Sequence, residues 1–340
     1  MEEDFIIYQV KPHDNLGSIA SRIDMKEDDL KSFHNIHCDK MDKIWFSDLR
    51  GIQFLCVPTH FVTPEKKIEA LQKFLPQKKY SPLLHAKKYN VTENFERQNE
   101  SSLNFEYDIE LDFQTDQGQI FVNTHQKEFR KDGNKPDDKI SSLALDCRES
   151  ISPIPFVIYD HGRIASLFKP KEIAKKFKSK REEIEDFHIG EVSKKYLDLF
   201  EDNISNESYF FKQLNSTILF QILFPNTNWF HKTQFWKEKY TIIPNSFDLE
   251  FKFNIEFDDS HSNLLISKIT GYLDEQCSLR ELLRGIKIED EDPEDNVFSE
   301  IKLIYETEKV SKRIHSIDAK IIIKYQGENY QTQHLHLKQS

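Results

Sequence analysis

Glycine is scarce in this chain, with 9 in 340 residues. Glycine-built phosphate cradles are therefore absent: neither G-x-G-x-x-G nor G-x-x-x-x-G-K-[ST] occurs. The nucleophile elbow G-x-S-x-G and the zinc-protease string H-E-x-x-H are also missing. The four cysteines, Cys38, Cys56, Cys147 and Cys277, form no C-x-x-C pair. Such scatter is ordinary for thiols in a reducing compartment, so free cysteines are expected. The most apolar stretch, Ile218 to Phe224, falls far short of the roughly 18 residues a membrane span needs. Met1-Glu2-Glu3-Asp4 is acidic where a signal peptide would be basic. These readings lead us to expect a cytoplasmic protein, exported, if at all, by a route that uses no signal peptide. A net charge of -11 argues against nucleic acid as partner, because phosphate affinity comes from clustered Lys and Arg.

What the chain does have is phenylalanine, 27 residues of it, within 38% hydrophobic and 31% charged composition. That balance predicts folded domains with aromatic-filled cores. At the N-terminus, Phe5, Ile7 and Gln9 alternate with Ile6, Tyr8 and Val10, the period of a strand. Pro12 ends it, having no N–H for a ladder. Asp14 and Asn15 are helix-capping types. Leu16, Ile19, Ala20 and Ile23 then fall on one helical face. A second helix fits Lys26 to His34, and Ile52, Phe54 and Cys56 alternate with Gln53, Leu55 and Val57 up to Pro58. A strand, two helices and a strand make a small βααβ core.

This segment resembles the LysM family. The resemblance rests on Tyr8-Gln9-Val10, His13-Asp14-Asn15-Leu16, Ile19-Ala20, Leu30, Asn35 and Phe54-Leu55-Cys56-Val57-Pro58. It departs from the family at His13, where a glycine is usual, at Asn15, where threonine is usual, and in a long stretch between Asn35 and Gly51. The resemblance implies a grip on N-acetylglucosamine polymers such as peptidoglycan. The contacts would come from His13, Asp14, Asn15 and Leu16 in the first loop and from Asn35, Ile36 and Trp45 in the second. It covers residues 1–60 only.

Beyond it, residues 61–102 read as a helical connector and linker. A helix is expected from Pro64 through Leu75, followed by a polar stretch from Thr92 to Ser102. Residues 103–340 read as one domain. Leu103 to Phe113 alternates apolar with acidic residues, and Gln119 to Thr124 can pair with it across Asp116-Gln117-Gly118. Phe156 to Tyr159 and Ile164 to Leu167 form a candidate hairpin. Helical periods cover Pro170–Phe187, Glu191–Phe200 and Glu207–Leu223. Strands return at Phe247–Phe257, Leu265–Leu273, Ile301–Tyr305, Ile317–Tyr325 and Tyr330–Leu337, with a short helix at Ser278–Arg284 and an acidic loop at Glu289–Asp295. The expected fold class is α+β: a βααβ module plus a larger domain with a mostly antiparallel sheet and a helical block at about 170–224.

Catalytic chemistry has no motif to stand on. His34, His37 and Cys38 lack a second pair to complete a metal site. His334 and His336 share a strand face at an expected exposed terminal strand. Asp146-Cys147-Arg148-Glu149 would need a positioned histidine to act as a nucleophile. No metal and no cofactor is expected. Trp229, Phe230 and Trp236 form an aromatic patch that is either core or an interface. The expectation is a split, with Trp236 buried and Trp229 partly exposed. The resulting reading is a non-enzymatic binding or adaptor protein, with a glycan-binding head and a C-terminal domain that recruits a partner. The alternatives are a cytosolic docking adaptor of a contractile injection machine and, further off, a cell-wall hydrolase.

Overall fold

Two hydrophobic periods sort this chain into elements, and buried side chains show which faces they bury. The computed structural model describes residues 5–23, 25–46, 48–59, 70–287 and 296–340. The chain divides into two units, Met1–Lys73 and Phe74–Ser340. The first holds β1 (Phe5–Gln9), α1 (Leu16–Arg22), α2 (Glu27–His37) and β2 (Phe54–Pro58). The strands pair antiparallel, with Phe5 opposite Pro58 and Gln9 opposite Phe54. Asn15 caps α1 in a reciprocal box with Ser18, satisfying two orphan backbone donors. Three acids, Glu27, Asp28 and Asp29, open α2, and His34 and His37 close it, a charge order that complements the helix dipole. Leu16, Ile19, Ala20, Met25, Leu30, Ile44, Leu55 and Val57 form the core.

The second unit is built on β3 (Lys88–Arg97), β4 (Leu103–Asp116), β5 (Gln119–Lys131), α3 (Lys139–Ile151), β6 (Ile154–Ile158), β7 (Ile164–Leu167), α4 (Pro170–Phe187), α5 (Glu191–Ser205), α6 (Glu207–Asn215), α7 (Ile218–Leu223), β8 (Trp236–Tyr240), β9 (Leu249–Asp258), β10 (Leu264–Leu273), α8 (Leu279–Arg284), β11 (Val297–Glu308), β12 (Ile314–Tyr325) and β13 (Glu328–Gln339). The strands make one 11-stranded sheet in the order β7-β6-β5-β4-β3-β13-β12-β11-β10-β9-β8, and every pairing is antiparallel. Two meanders thus meet at β3 and β13 in the middle, and α4 to α7 connect their far edges. The α+β expectation with a large antiparallel sheet holds.

Alternation builds both faces of that sheet. Leu249, Phe251 and Phe253 of β9, and Ile317, Ala319, Ile321 and Ile323 of β12, are buried. The opposite face carries cross-strand charges, such as Lys127 to Glu110 at 2.7 Å and Lys237 to Glu250 at 2.8 Å. Gly271 of β10 marks one tight place. A Cβ there would lie 2.3 Å from the Phe253 ring, so only glycine leaves that ring its seat.

Three expectations need correction. Residues 92–97 are not linker: they belong to β3, which pairs with both β4 and β13. The larger unit therefore begins near Phe74, not Leu103. The single helix expected over Glu207–Leu223 breaks at Ser216-Thr217, because the Thr217 side chain accepts from Phe220 N and starts α7 afresh. β13 is no terminal exposed strand but a central one, between β12 and β3. Most of the expected Pro64 helix and the Glu289–Asp295 loop lie outside the described residues. No helix among the described residues is long and apolar enough to cross a membrane.

Candidate functional site

Polar residues in the first loop of the small unit spend their hydrogen bonds at home. Asp14 accepts from the Tyr8 hydroxyl at 2.7 Å and from Lys11 N at 2.9 Å, and it pairs with Arg22. The Tyr8 hydrogen bond, with help from the Lys11 amide, holds its carboxyl below the usual range. Asn15 Oδ1 accepts from Ser18 N at 2.7 Å. Leu16 is fully buried in the core. Of the four residues expected to touch ligand here, Asp14 and Asn15 are thus structural and Leu16 is inaccessible. His13 alone stands exposed without a structural task.

The second loop is a frame around an exposed indole. Asn35 clasps both backbone groups of Ile44: its Oδ1 accepts from Ile44 N at 2.8 Å and its Nδ2 donates to Ile44 O at 2.9 Å. This is a structural role, not the ligand contact expected of it. His34 ties the same loop down from inside the unit. Its Nδ1 accepts from Cys56 N at 3.0 Å, which leaves Nε2–H to donate to Asp42 O at 2.9 Å. With both ring nitrogens engaged, His34 is not a metal ligand. Ile44 is buried, and the next residue, Trp45, is 74% exposed, its carbonyl held by Lys31 Nζ at 2.9 Å. Ile36, Met41 and Phe46 on the same segment are 76%, 93% and 80% exposed. The sheet adds Ile6, Ile7 and Phe54, also exposed. Sequence reasoning placed Ile36 and Trp45 at the surface but missed Met41, Phe46 and the sheet residues. The clustering of Met41, Trp45 and Phe46 in the lengthened Asn35–Gly51 stretch was the available signal.

The aromatic patch of the larger unit is core, not interface. Trp229 and Phe230 are fully buried and Trp236 is 9% exposed. Residues Thr227–His231 form a tight turn that lays Trp229 on Phe253, with centroids 5.9 Å apart. Arg163 sits 4.6 Å over the same indole. Both Trp229 and Trp236 donate Nε1–H to Glu238. The partly exposed Trp229 expected from its neighbouring asparagines is overturned by these partners, which come from β9, from the residue before β7 and from β8. Phe235, next to Trp236, is exposed.

The remaining catalytic candidates are quiet. Cys147 is buried, and burial pushes its thiol up to about 12, far from the lowered values of reactive cysteines. All four cysteines are free. His334 and His336 both face Asp318, at 2.8 and 3.4 Å. Among the described residues, no group of three or more His, Cys, Asp or Glu side chains is placed to hold a metal ion.

Compared with known proteins, the chain matches no family model and no curated sequence.

Proposed function

We propose that this protein is a non-enzymatic binding protein whose N-terminal unit binds N-acetylglucosamine polymers of the peptidoglycan type, and whose larger unit recruits a partner. The observation that carries the reading is Trp45: a large, exposed aromatic face on a loop held rigid by Asn35, His34 and Lys31. Pyranose rings pack their C–H faces on such a surface, and a pre-organised side chain loses little freedom on binding. The βααβ order with antiparallel outer strands and the LysM-like residues support the same reading. The test is retention of the full-length protein on insoluble peptidoglycan and on chitin at low salt. Trp45→Ala should weaken retention by about 2 kcal/mol, roughly 30-fold. A wild-type protein that neither polymer retains would refute the reading.

A second reading has its own observation. Ile6, Ile7, Met41 and Phe54 are exposed aliphatic and aromatic side chains on one small unit, and such surfaces commonly mark protein contacts. This favours a docking adaptor of the kind that joins parts of a contractile injection machine. Ile7→Asp with Phe54→Asp would then abolish co-purification of a protein partner while leaving glycan retention unchanged.

A further inference from the structure

Two helices of the larger unit face each other across an open groove. Ser142, Leu145 and Glu149 of α3, and Glu183, Ile184 and Phe187 of α4, line one cleft of about 710 Å³. The first three fall at i, i+3 and i+7 and the others at i, i+1 and i+4, so each helix turns one face to the cleft. The helices run antiparallel. Lys139 Nζ, at the start of α3, donates to Ile189 O just past α4, and Lys176 Nζ of α4 donates to Pro153 O beyond the other end of α3. A groove between two such faces is the shape that receives a third, amphipathic helix.

Its floor is apolar and open. Ile184 is buried at the bottom, Leu145 is half-buried, and Phe187 is 78% exposed. Among ring contacts Phe187 meets only His188, edge-on at 4.9 Å. Ile189, 75% exposed, and Val192, also exposed, carry the apolar surface past the end of α4. Large apolar side chains grouped in this way mark contact surfaces.

Charge says what kind of helix fits. Four acids line the cleft, Asp146, Glu149, Glu183 and Asp186, against two lysines, Lys135 and Lys180, so the groove is acidic. Asp146 is engaged by His188 at 2.6 Å, and Glu149 lies 3.4 Å from His125. Glu183 and Asp186 have no ion-pair partner among the described residues. Both stand near the C-terminal end of α4, whose last turn carries no basic residue. That end of a helix favours cations, and here it holds free carboxylates instead.

We infer that this groove docks a basic amphipathic helix of a protein partner, with an apolar side chain on Leu145, Ile184 and Phe187 and Lys or Arg against Glu183 and Asp186. The inference rests on the reading that the larger unit recruits a partner, and it supplies the surface and the partner's chemistry.

The test uses the full-length protein and fluorescein-labelled synthetic helices of about 18 residues, read by anisotropy at one ionic strength. One probe carries Leu at i, i+3, i+4 and i+7 with Lys on its flanks; the other has Glu in place of every Lys. The Lys probe should bind saturably and the Glu probe should not. Phe187→Ser should weaken the Lys probe roughly tenfold or more. Glu183→Lys with Asp186→Lys should weaken it as much and give the Glu probe a site. Glu256→Lys with Asp259→Lys, an equal change of charge near the end of β9, should leave the Lys probe unaffected. All five side chains are exposed, so each variant should melt like the parent. No saturable binding of the Lys probe overturns the proposal, as does unchanged binding by Phe187→Ser or equal loss in the two charge-reversed proteins. Dimers of the wild type that Phe187→Ser dissolves, seen by sedimentation, would give the groove to a second copy and overturn it too. A partner that co-purifies equally with wild type and Phe187→Ser overturns the groove while keeping the recruiting role, and peptidoglycan retention of the same proteins reports on the head alone.

Discussion

His85 should make the larger unit acid-sensitive in a pH range where carboxylates do not yet titrate. The ring is buried among Tyr80, Phe113 and Phe224, and neither ring nitrogen has a partner among the described residues. Burial alone lowers its pKa from 6.5 to about 3. A lowered histidine works against the fold as protons are added: the unfolded chain takes up a proton below pH 6.5 and the folded one does not. Stability is therefore intact above pH 6.5 and falls as the pH drops from there toward 3. At 1.36 kcal/mol per unit, the loss is about 2 kcal/mol at pH 5. His85→Leu removes that slope and also two unsatisfied buried nitrogens, so at pH 7.5 it should be neutral or stabilising. Between pH 7.5 and pH 5 the wild type should lose roughly 4–8 °C more than the variant, at about 2–4 °C per kcal/mol. His231, lowered mainly by burial, acts in the same direction but is present in both proteins and cancels. Carboxylates held low by hydrogen bonds or ion pairs, such as Glu110 and Asp258, contribute only below their unfolded values. The assay is thermal melting followed by tryptophan fluorescence in a Trp45→Phe background, which leaves the buried Trp229 and Trp236 to report on the larger unit. Parallel pH profiles for wild type and His85→Leu would refute this reasoning.

Other outcomes are equally definite. Trp229→Ala should cost about 3–5 kcal/mol, because the ring is fully buried on Phe253; a melt like the parent's would return it to the surface. Gly271→Ala should cost about 1–3 kcal/mol as its Cβ meets the Phe253 ring, measured by denaturant midpoint; a neutral effect would mean the ring moves freely. Limited proteolysis should yield no stable fragment beginning near Leu103, because that cut removes β3 from the middle of the sheet; such a fragment, recovered and folded, would contradict the topology.

Much of this fold was legible because many strands bury one face and solvate the other. β4 and β9 show a period of two for that reason. β3 hid itself: Tyr89 and Val91 are buried, but the next inward position is Glu93, a carboxylate satisfied by Gln333 and Tyr107. A buried acid with distant partners breaks the apolar period, so the strand read as linker. Trp229 was misread for a related reason, since Pro225, Asn226 and Asn228 signal a loop while its cover, Arg163 and Glu238, comes from elsewhere in the chain. In the N-terminal unit, Asp14, Asn15 and Asn35 were expected contacts through the family resemblance, yet nearby groups claim all three: Tyr8, Arg22 and the Lys11 amide for Asp14, the Ser18 amide for Asn15 and the Ile44 backbone for Asn35. Trp45 was singled out only because the family resemblance puts a contact loop there, and the structure leaves its ring exposed.

The most direct test of the central claim is titration of the full-length protein with a soluble N-acetylglucosamine tetramer, followed by tryptophan emission and acrylamide quenching. Trp45 is the exposed indole of the three, so a sugar face settling on it should shift emission to the blue and shield it from quencher, saturably, with no such response in Trp45→Phe. No saturable change, or the same change in Trp45→Phe, would contradict the assignment of the N-terminal unit as a glycan-binding head.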